Sequence, residues 1–176
     1  MLLKHSFVVF LLLGAACVRA EVVLPTEQFI HEAFTQTPKR ETLWVDKTLK
    51  QDIAESIDYQ FHALRIRYWG VGERTAWVLE EVGKEEPITM GVVVEGDKIL
   101  ALRVLVYRES RGDEVKHGFY TRQFDHARLE EHRKGYRLSK DIDGITGATL
   151  SVRATKKVAK LALLLHQQTP YASHAK

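Results

Sequence analysis

Two hydrophobic periods alternate along the chain, and the switches between them mark its elements. Phe7 to Ala16 is an unbroken apolar run of ten residues, too short to span a bilayer comfortably. After Pro25-Thr26, the residues Phe29, Ile30, Ala33 and Phe34 share one helical face, and Thr37-Pro38 should end that helix. A second helix is expected from about Lys47 to Ile57, with Leu49, Ile53 and Ile57 four apart and Trp44 before it as a packing anchor. At Leu64 the period drops to two. Leu64, Ile66 and Tyr68 alternate with Arg65 and Arg67, the pattern of a strand with one wet face. Further strands are predicted at Thr75 to Val82, Ile88 to Val94 and Ile99 to Tyr107. Gly70-Val71-Gly72, Gly83 to Pro87 and Glu95-Gly96-Asp97-Lys98 serve as their turns, the last as a tight hairpin. The simplest arrangement is a four-stranded antiparallel meander.

Beyond the strands, Glu109 to Gly118 is polar, carries two glycines and is expected to be a functional loop. Tyr120 to Glu131 is expected to form a short helix using Phe124 and Leu129, and Gly135 to Asp141 to be irregular or a short strand. The last helix should begin near Leu150. Leu150, Ala154, Val158, Leu161 and Leu165 form its apolar stripe, and Arg153, Lys156, Lys157 and Lys160 a solvated opposite face. The tail after Thr169-Pro170 is expected to fray. The fold class is therefore α+β, an antiparallel sheet flanked by helices. One domain is expected over residues 21–176, with a helical part at 21–60 and a core at 64–166.

Residues 1–20 have the layout of a signal peptide: Lys4 and His5, the apolar run, then Val18-Arg19-Ala20 with cleavage before Glu21. Gly14-Ala15-Ala16-Cys17 offers a rival, a lipid anchor on Cys17, although Gly14 stands where such sites usually carry Leu. An uncleaved anchor is the third reading. Each puts the domain in the periplasm or another extracytoplasmic space. Removing Lys4 and Arg19 with the leader leaves 24 basic against 23 acidic residues, so charge gives no argument for nucleic acid. Cys17 is the only cysteine, so the remainder offers no disulfide, thiol nucleophile, iron–sulfur cluster or attached haem.

The chemistry concentrates in Asp143-Gly144-Ile145-Thr146-Gly147-Ala148-Thr149, followed by Leu150-Ser151, where a turn-rich segment meets the last helix. A helix N-terminus carries unpaired N–H groups and partial positive charge, and glycines beside it let an anion approach the backbone. Thr146 to Thr149 suits a phosphate, with Arg153 in range as a partner. A plain turn followed by an N-cap explains the four residues Thr-Gly-Ala-Thr equally well.

The longer string resembles the flavinylation signature of FMN-binding domains, Asp-x-x-Ser/Thr-Gly-Ala-Thr. That family includes the C subunit of the sodium-translocating NADH:quinone reductase, the G subunit of the Rnf complex and many small secreted flavoproteins. The resemblance implies that a periplasmic flavin transferase moves FMN from FAD onto the hydroxyl of Thr149, leaving a phosphoester. Asp143, Gly144, Thr146, Gly147, Ala148, Leu150 and Ser151 would surround that attachment, Thr149 being a better acceptor than Ser151. It also places the loop Glu109-Ser110-Arg111-Gly112 near the flavin, although the family's loop is more usually Glu-Thr-Pro-Gly. Phe119 is the aromatic best placed by sequence to stack on the ring, and His117 beside it is a candidate for proton uptake. The resemblance covers roughly Ile88 to Leu165. The function it implies is an electron-transfer flavoprotein with covalent FMN, more a carrier than a stand-alone enzyme. Its redox donor and acceptor would be separate proteins, such as a quinol-linked membrane protein or a cytochrome. The alternatives are a secreted non-redox module for a phosphate-bearing ligand and a small flavin reductase.

Other patterns carry less. Gly70-Val71-Gly72 lacks the third glycine of a dinucleotide fingerprint, with Thr75 in its place. His117, His126 and His132 lack metal-ligand spacing. Ser151, Asp143 and a histidine have no nucleophile-elbow context. Trp69, Trp77, Tyr107 and Tyr120 are expected to serve the core or the strands.

Overall fold

A computed structural model describes residues 20–172. The expected leader, Cys17 included, lies outside the described residues except for Ala20. Six antiparallel strands form one sheet: β1 (Glu21–Val22), β2 (Lys39–Trp44), β3 (Arg65–Val71), β4 (Arg74–Val82), β5 (Pro87–Glu95) and β6 (Lys98–Tyr107). Their spatial order is β1-β6-β5-β4-β3-β2. The expected meander is thus the centre of a wider sheet. The structure adds β2 within the segment read as helical, and β1 pairs with the far edge. Four charged or polar residues, Lys39 to Thr42, open β2 ahead of Leu43 and Trp44, which masks its strand character. Tertiary pairing of Thr42 with Arg67 and Leu43 with Ile66 makes it a strand.

Both faces of the sheet are covered, and β5 shows it most clearly. Ile88 through Val94 are all buried, a run without alternation because each side meets a helix. On one side, Trp77, Val92 and Leu102 stand in register and pack under α4 (Thr149–Gln167). On the other, α1 (Thr26–Ala33) lays Phe29 over Gly91, where an added Cβ would stand 2.6 Å from the ring. Gly91 is the strand position where the helix comes closest. α2 (Lys47–Ile57) begins and ends where its period predicted, capped by Asp46, whose Oδ1 accepts from the Leu49 amide at 2.8 Å.

Several expectations require correction. Trp44 is no packing anchor: it is 67% exposed, because the alternation that buries Leu43 and Val45 turns it outward. The predicted helix over Tyr120 to Glu131 is broken into α3 (Gly118–Thr121), a 3-10 turn at Arg122–Phe124, and a strand, β7 (Leu129–His132). β7 pairs with β8 (Gly135–Leu138) in a separate ribbon. His126 takes a φ of 65°, which stops the helix before Leu129 can join it. The polar loop contains a 3-10 turn at Asp113–Lys116. The first helix stops at Ala33, before Thr37-Pro38. The tail does not fray through Ala172, since Tyr171 packs edge-on against Tyr68 and over Gly70.

A buried polar network crosses the core. Trp77 Nε1, which can only donate, gives its proton to Thr75 Oγ1 at 2.8 Å. Thr75 Oγ1 is also hydrogen-bonded to His166 Nδ1 at 2.7 Å. His166 is 1% exposed and Nε2 has no partner at hydrogen-bonding geometry. Burial holds its pKa below the usual 6.5, against weaker upward pulls from the Gly96 backbone and Glu73. The unfolded chain therefore takes up this proton first. Folding stability should fall as pH drops through about 6.5, down to the lower folded pKa. Denaturant melts across that range should show a shallower loss for His166→Gln than for the parent. An equal slope would mean His166 does not bind its proton late.

Candidate functional site

The start of α4 is set by a turn. The Ala148 amide donates to the Ile145 carbonyl at 3.0 Å, and Gly147 between them takes a φ of 84°, the geometry of a type II turn. A Cβ on Gly147 would meet nothing, so its requirement is conformational. Ala148 then occupies the N-cap position, where its side chain can bond no amide. The first amides of this 19-residue helix, those of Thr149, Leu150 and Ser151, consequently have neither a cap nor an intrahelical acceptor. Thr149 is exposed at the first helical position and Leu150 is 40% exposed, whereas Ser151 is buried at 3%. Of these two hydroxyl residues, Thr149 is the one that solvent reaches.

A cleft of about 280 Å³ opens over these residues. Its floor is Gly147 to Ser151, and its opposite wall is Lys84 with Glu109, Ser110 and Arg111. The two walls meet through Gly112. This glycine has a φ of 81°, and an added Cβ would stand 3.0 Å from the Ala148 Cβ and 3.3 Å from the Tyr107 hydroxyl. Ala148, itself 3% exposed, is the side chain that fills this contact. Tyr107 adds a second tie, its hydroxyl donating to the Arg111 carbonyl at 2.5 Å. Burial pushes the Tyr107 phenol up, and a hydrogen bond with Ser151 partly opposes the shift.

Glu109 lines the cleft but spends one oxygen elsewhere. Its Oε1 accepts from the backbone amides of Lys84, Glu85 at 2.9 Å and Glu86 at 3.2 Å. The carboxylate thereby clamps the β4–β5 turn to the end of β6, and its charge is taken up by three N–H dipoles. Lys84, on that turn, pairs with Glu85 at 2.9 Å at the cleft mouth.

The remaining predicted residues divide. Asp143 is exposed ahead of the turn and Thr146 within it, and the Asp143 amide is held by Gln123 Oε1 at 2.7 Å. Gly144 stands in open space at a backbone angle any residue can adopt. Phe119 is 60% exposed and stacks on His117, and neither lines the cleft. Arg153 is exposed one turn along α4. The basic face of α4 is not wholly solvated as expected. Lys157 pairs with the half-buried Glu81 at 3.1 Å, and burial lowers the pKa of Lys160. Sequence reading placed Arg111 in the loop near the site but missed Lys84 as a cleft residue and Tyr107 as a site tie. Their signal was topological: a meander brings the β4–β5 turn and the end of β6 to the same end of the sheet.

The bare helix terminus, the exposed Thr149 hydroxyl and the open space at Gly147 fit a phosphate-bearing group. Small-molecule sites span roughly 300–1,000 Å³, so this cleft holds one end of such a ligand and leaves the rest outside. Residues 83–164 match the family model of the FMN-binding domain. Every residue of the cleft falls within that span. Over this stretch, less than half of the chain, the sequence is similar to the FMN-binding domain family, and flavin binding is what that likeness supports. No curated protein and no solved structure matches the chain.

The geometry separates the glycines. Gly112→Ala should cost about 1–2 kcal/mol, because it forces an L side chain into the left-handed region against Ala148. Gly144→Ala should stay within about 0.5 kcal/mol of the parent. Urea unfolding of the two variants distinguishes them, and equal losses would contradict the assigned contact.

Proposed function

We propose that the chain is an extracytoplasmic electron-transfer flavoprotein with FMN joined through its phosphate to the Thr149 side chain. The observation that carries this reading is the exposed Thr149 hydroxyl at an uncapped helix N-terminus, inside the stretch that matches the FMN-binding domain. Attachment makes one bond, from Thr149 Oγ1 to the flavin-side phosphorus of FAD. It breaks the diphosphate bridge, and AMP leaves while the hydroxyl proton passes to a base of the transferase.

The chain's own residues have separable roles. Thr149, Leu150 and Ser151 turn their amides towards the phosphate, where the helix dipole favours negative charge. Gly147 sets the turn that keeps those amides open. Asp143 and Thr146, exposed and clear of the cleft floor, are the surface on which a transferase recognises the site. Glu109 holds the cleft wall in place. Once bound, FMN supplies one- and two-electron chemistry, and the protein orients it and sets its potential. The redox donor and acceptor are separate proteins, a quinol-linked membrane protein or a cytochrome among them. The apolar run and small residues ahead of Glu21 support an extracytoplasmic location, where a tether prevents loss of a cofactor that is scarce.

Co-expression with a flavin transferase should give a band that fluoresces under blue light after denaturing electrophoresis. Thr149→Val should abolish that fluorescence while leaving the fold intact by circular dichroism. A fluorescent Thr149→Val band would move the attachment elsewhere.

A further inference from the structure

The β2–β3 edge presents a surface that the flavin site does not use. Pairing of Arg40 with Trp69, Thr42 with Arg67 and Trp44 with Arg65 puts the side chains of all six on one side of the sheet. α1 covers this side only farther in, where Phe29, Ala33 and Phe34 pack on Ala76, Val93 and Leu105. Over the edge strands Arg40, Arg65 and Arg67 are all exposed, with Thr26 at the start of α1 bordering them among the described residues. A shallow depression of about 480 Å³ runs between them and Trp69. The Arg40 guanidinium sits 5.9 Å from the Trp69 ring centre, and that of Arg65 6.0 Å from Trp44.

The charge here is unbalanced. The only acid in either strand, Glu41, points to the other side, where Lys39 pairs with it at 2.6 Å. On the neighbouring strand, Glu80 is taken by the Thr89 hydroxyl at 2.6 Å and by Arg108 at 3.7 Å. The same corner exposes Trp44 at 67%. Leu64 is exposed too, but it stands opposite Val45 in the continued register and so belongs to the other side of the sheet. Among the described residues Arg40, Arg65 and Arg67 make no ion pair, so this face joins one exposed indole to three positive charges.

We propose that this face docks on an anionic phospholipid surface. Arg40, Arg65 and Arg67 meet the lipid phosphates, and Trp44 enters the boundary between headgroups and acyl chains. A water-soluble polyanion satisfies the arginines but leaves Trp44 in water. An anionic bilayer takes both, with tryptophan at the depth its amphipathic ring favours. The contact is peripheral, since among the described residues no helix is long and apolar enough to cross a membrane. α4 lies on the opposite side of the sheet, so docking leaves the Thr149 cleft turned away from the lipid and open to a partner.

The test reads Trp44 and vesicle partition, never the flavin, so it stands or falls apart from the proposed function. The full chain is mixed with phosphatidylcholine vesicles with and without phosphatidylglycerol, using acyl-brominated lipid as a quencher. The leader is common to all variants. Blue-shifted, quenched emission is expected with the anionic vesicles alone, weakening with salt, and in Trp44→Phe should fall to what Trp69 of the same depression contributes. Arg40→Gln with Arg65→Gln and Arg67→Gln should lower partition roughly a hundred-fold, about five-fold for each arginine. Three results would overturn the proposal: Trp44 emission unmoved on anionic vesicles, an equal shift without phosphatidylglycerol, or tighter binding to polyglutamate with Trp44 still in water.

Discussion

Ala148 rests against Gly112, and the geometry of the site follows from that contact. One residue opens the last helix and the other closes the loop after β6, and neither position tolerates a larger side chain without displacing the other. Gly112 contributes by lacking a Cβ and by taking a left-handed φ of 81°. Ala148 contributes by being too small to cap its own helix. The same smallness that permits the contact leaves the amides of Thr149, Leu150 and Ser151 without a cap.

The rest of the fold keeps those two residues in place. α4 is anchored over its length by Val152, Val158, Leu161 and Leu165 on the sheet, so its axis cannot swing. The sheet is itself fixed by a central strand buried on both sides, and the His166–Thr75–Trp77 network pins the far end of the helix. At the near end, Glu109 clamps the β4–β5 turn and Tyr107 holds the Arg111 carbonyl. A rigid support with an exposed hydroxyl at its tip is the arrangement that tethered chemistry needs, since the cofactor's position is then set by the helix.

Much of this was legible from periodicity. The limits of α2, the turn before α4 and the three central strands follow from the spacing of apolar residues and from glycine placement. The place of Thr149 at the start of α4 was legible because the turn-forming glycines stand just ahead of the helix's apolar stripe. What escaped depended on pairing between distant segments. Lys39 to Trp44 has too few apolar residues to declare itself a strand, and only the register with β3 makes it one. Leu129 fits a helical face with Phe124, yet the left-handed backbone at His126 diverts it into a ribbon. Lys84 sits in a charged turn with no local mark of function and reaches the cleft only through the order of the strands. Phe119 was favoured for nearness in sequence, and the short helix that carries it faces away from the cleft lining.

The proposed cofactor is held by one covalent bond. Trypsin should release the peptide from Asp141 to Arg153, which contains Thr146, Thr149 and Ser151. Tandem mass spectrometry of that peptide, from chain matured with a flavin transferase, should show the mass of FMN less one water on Thr149. An unmodified peptide, or the added mass on Thr146 or Ser151, would contradict it.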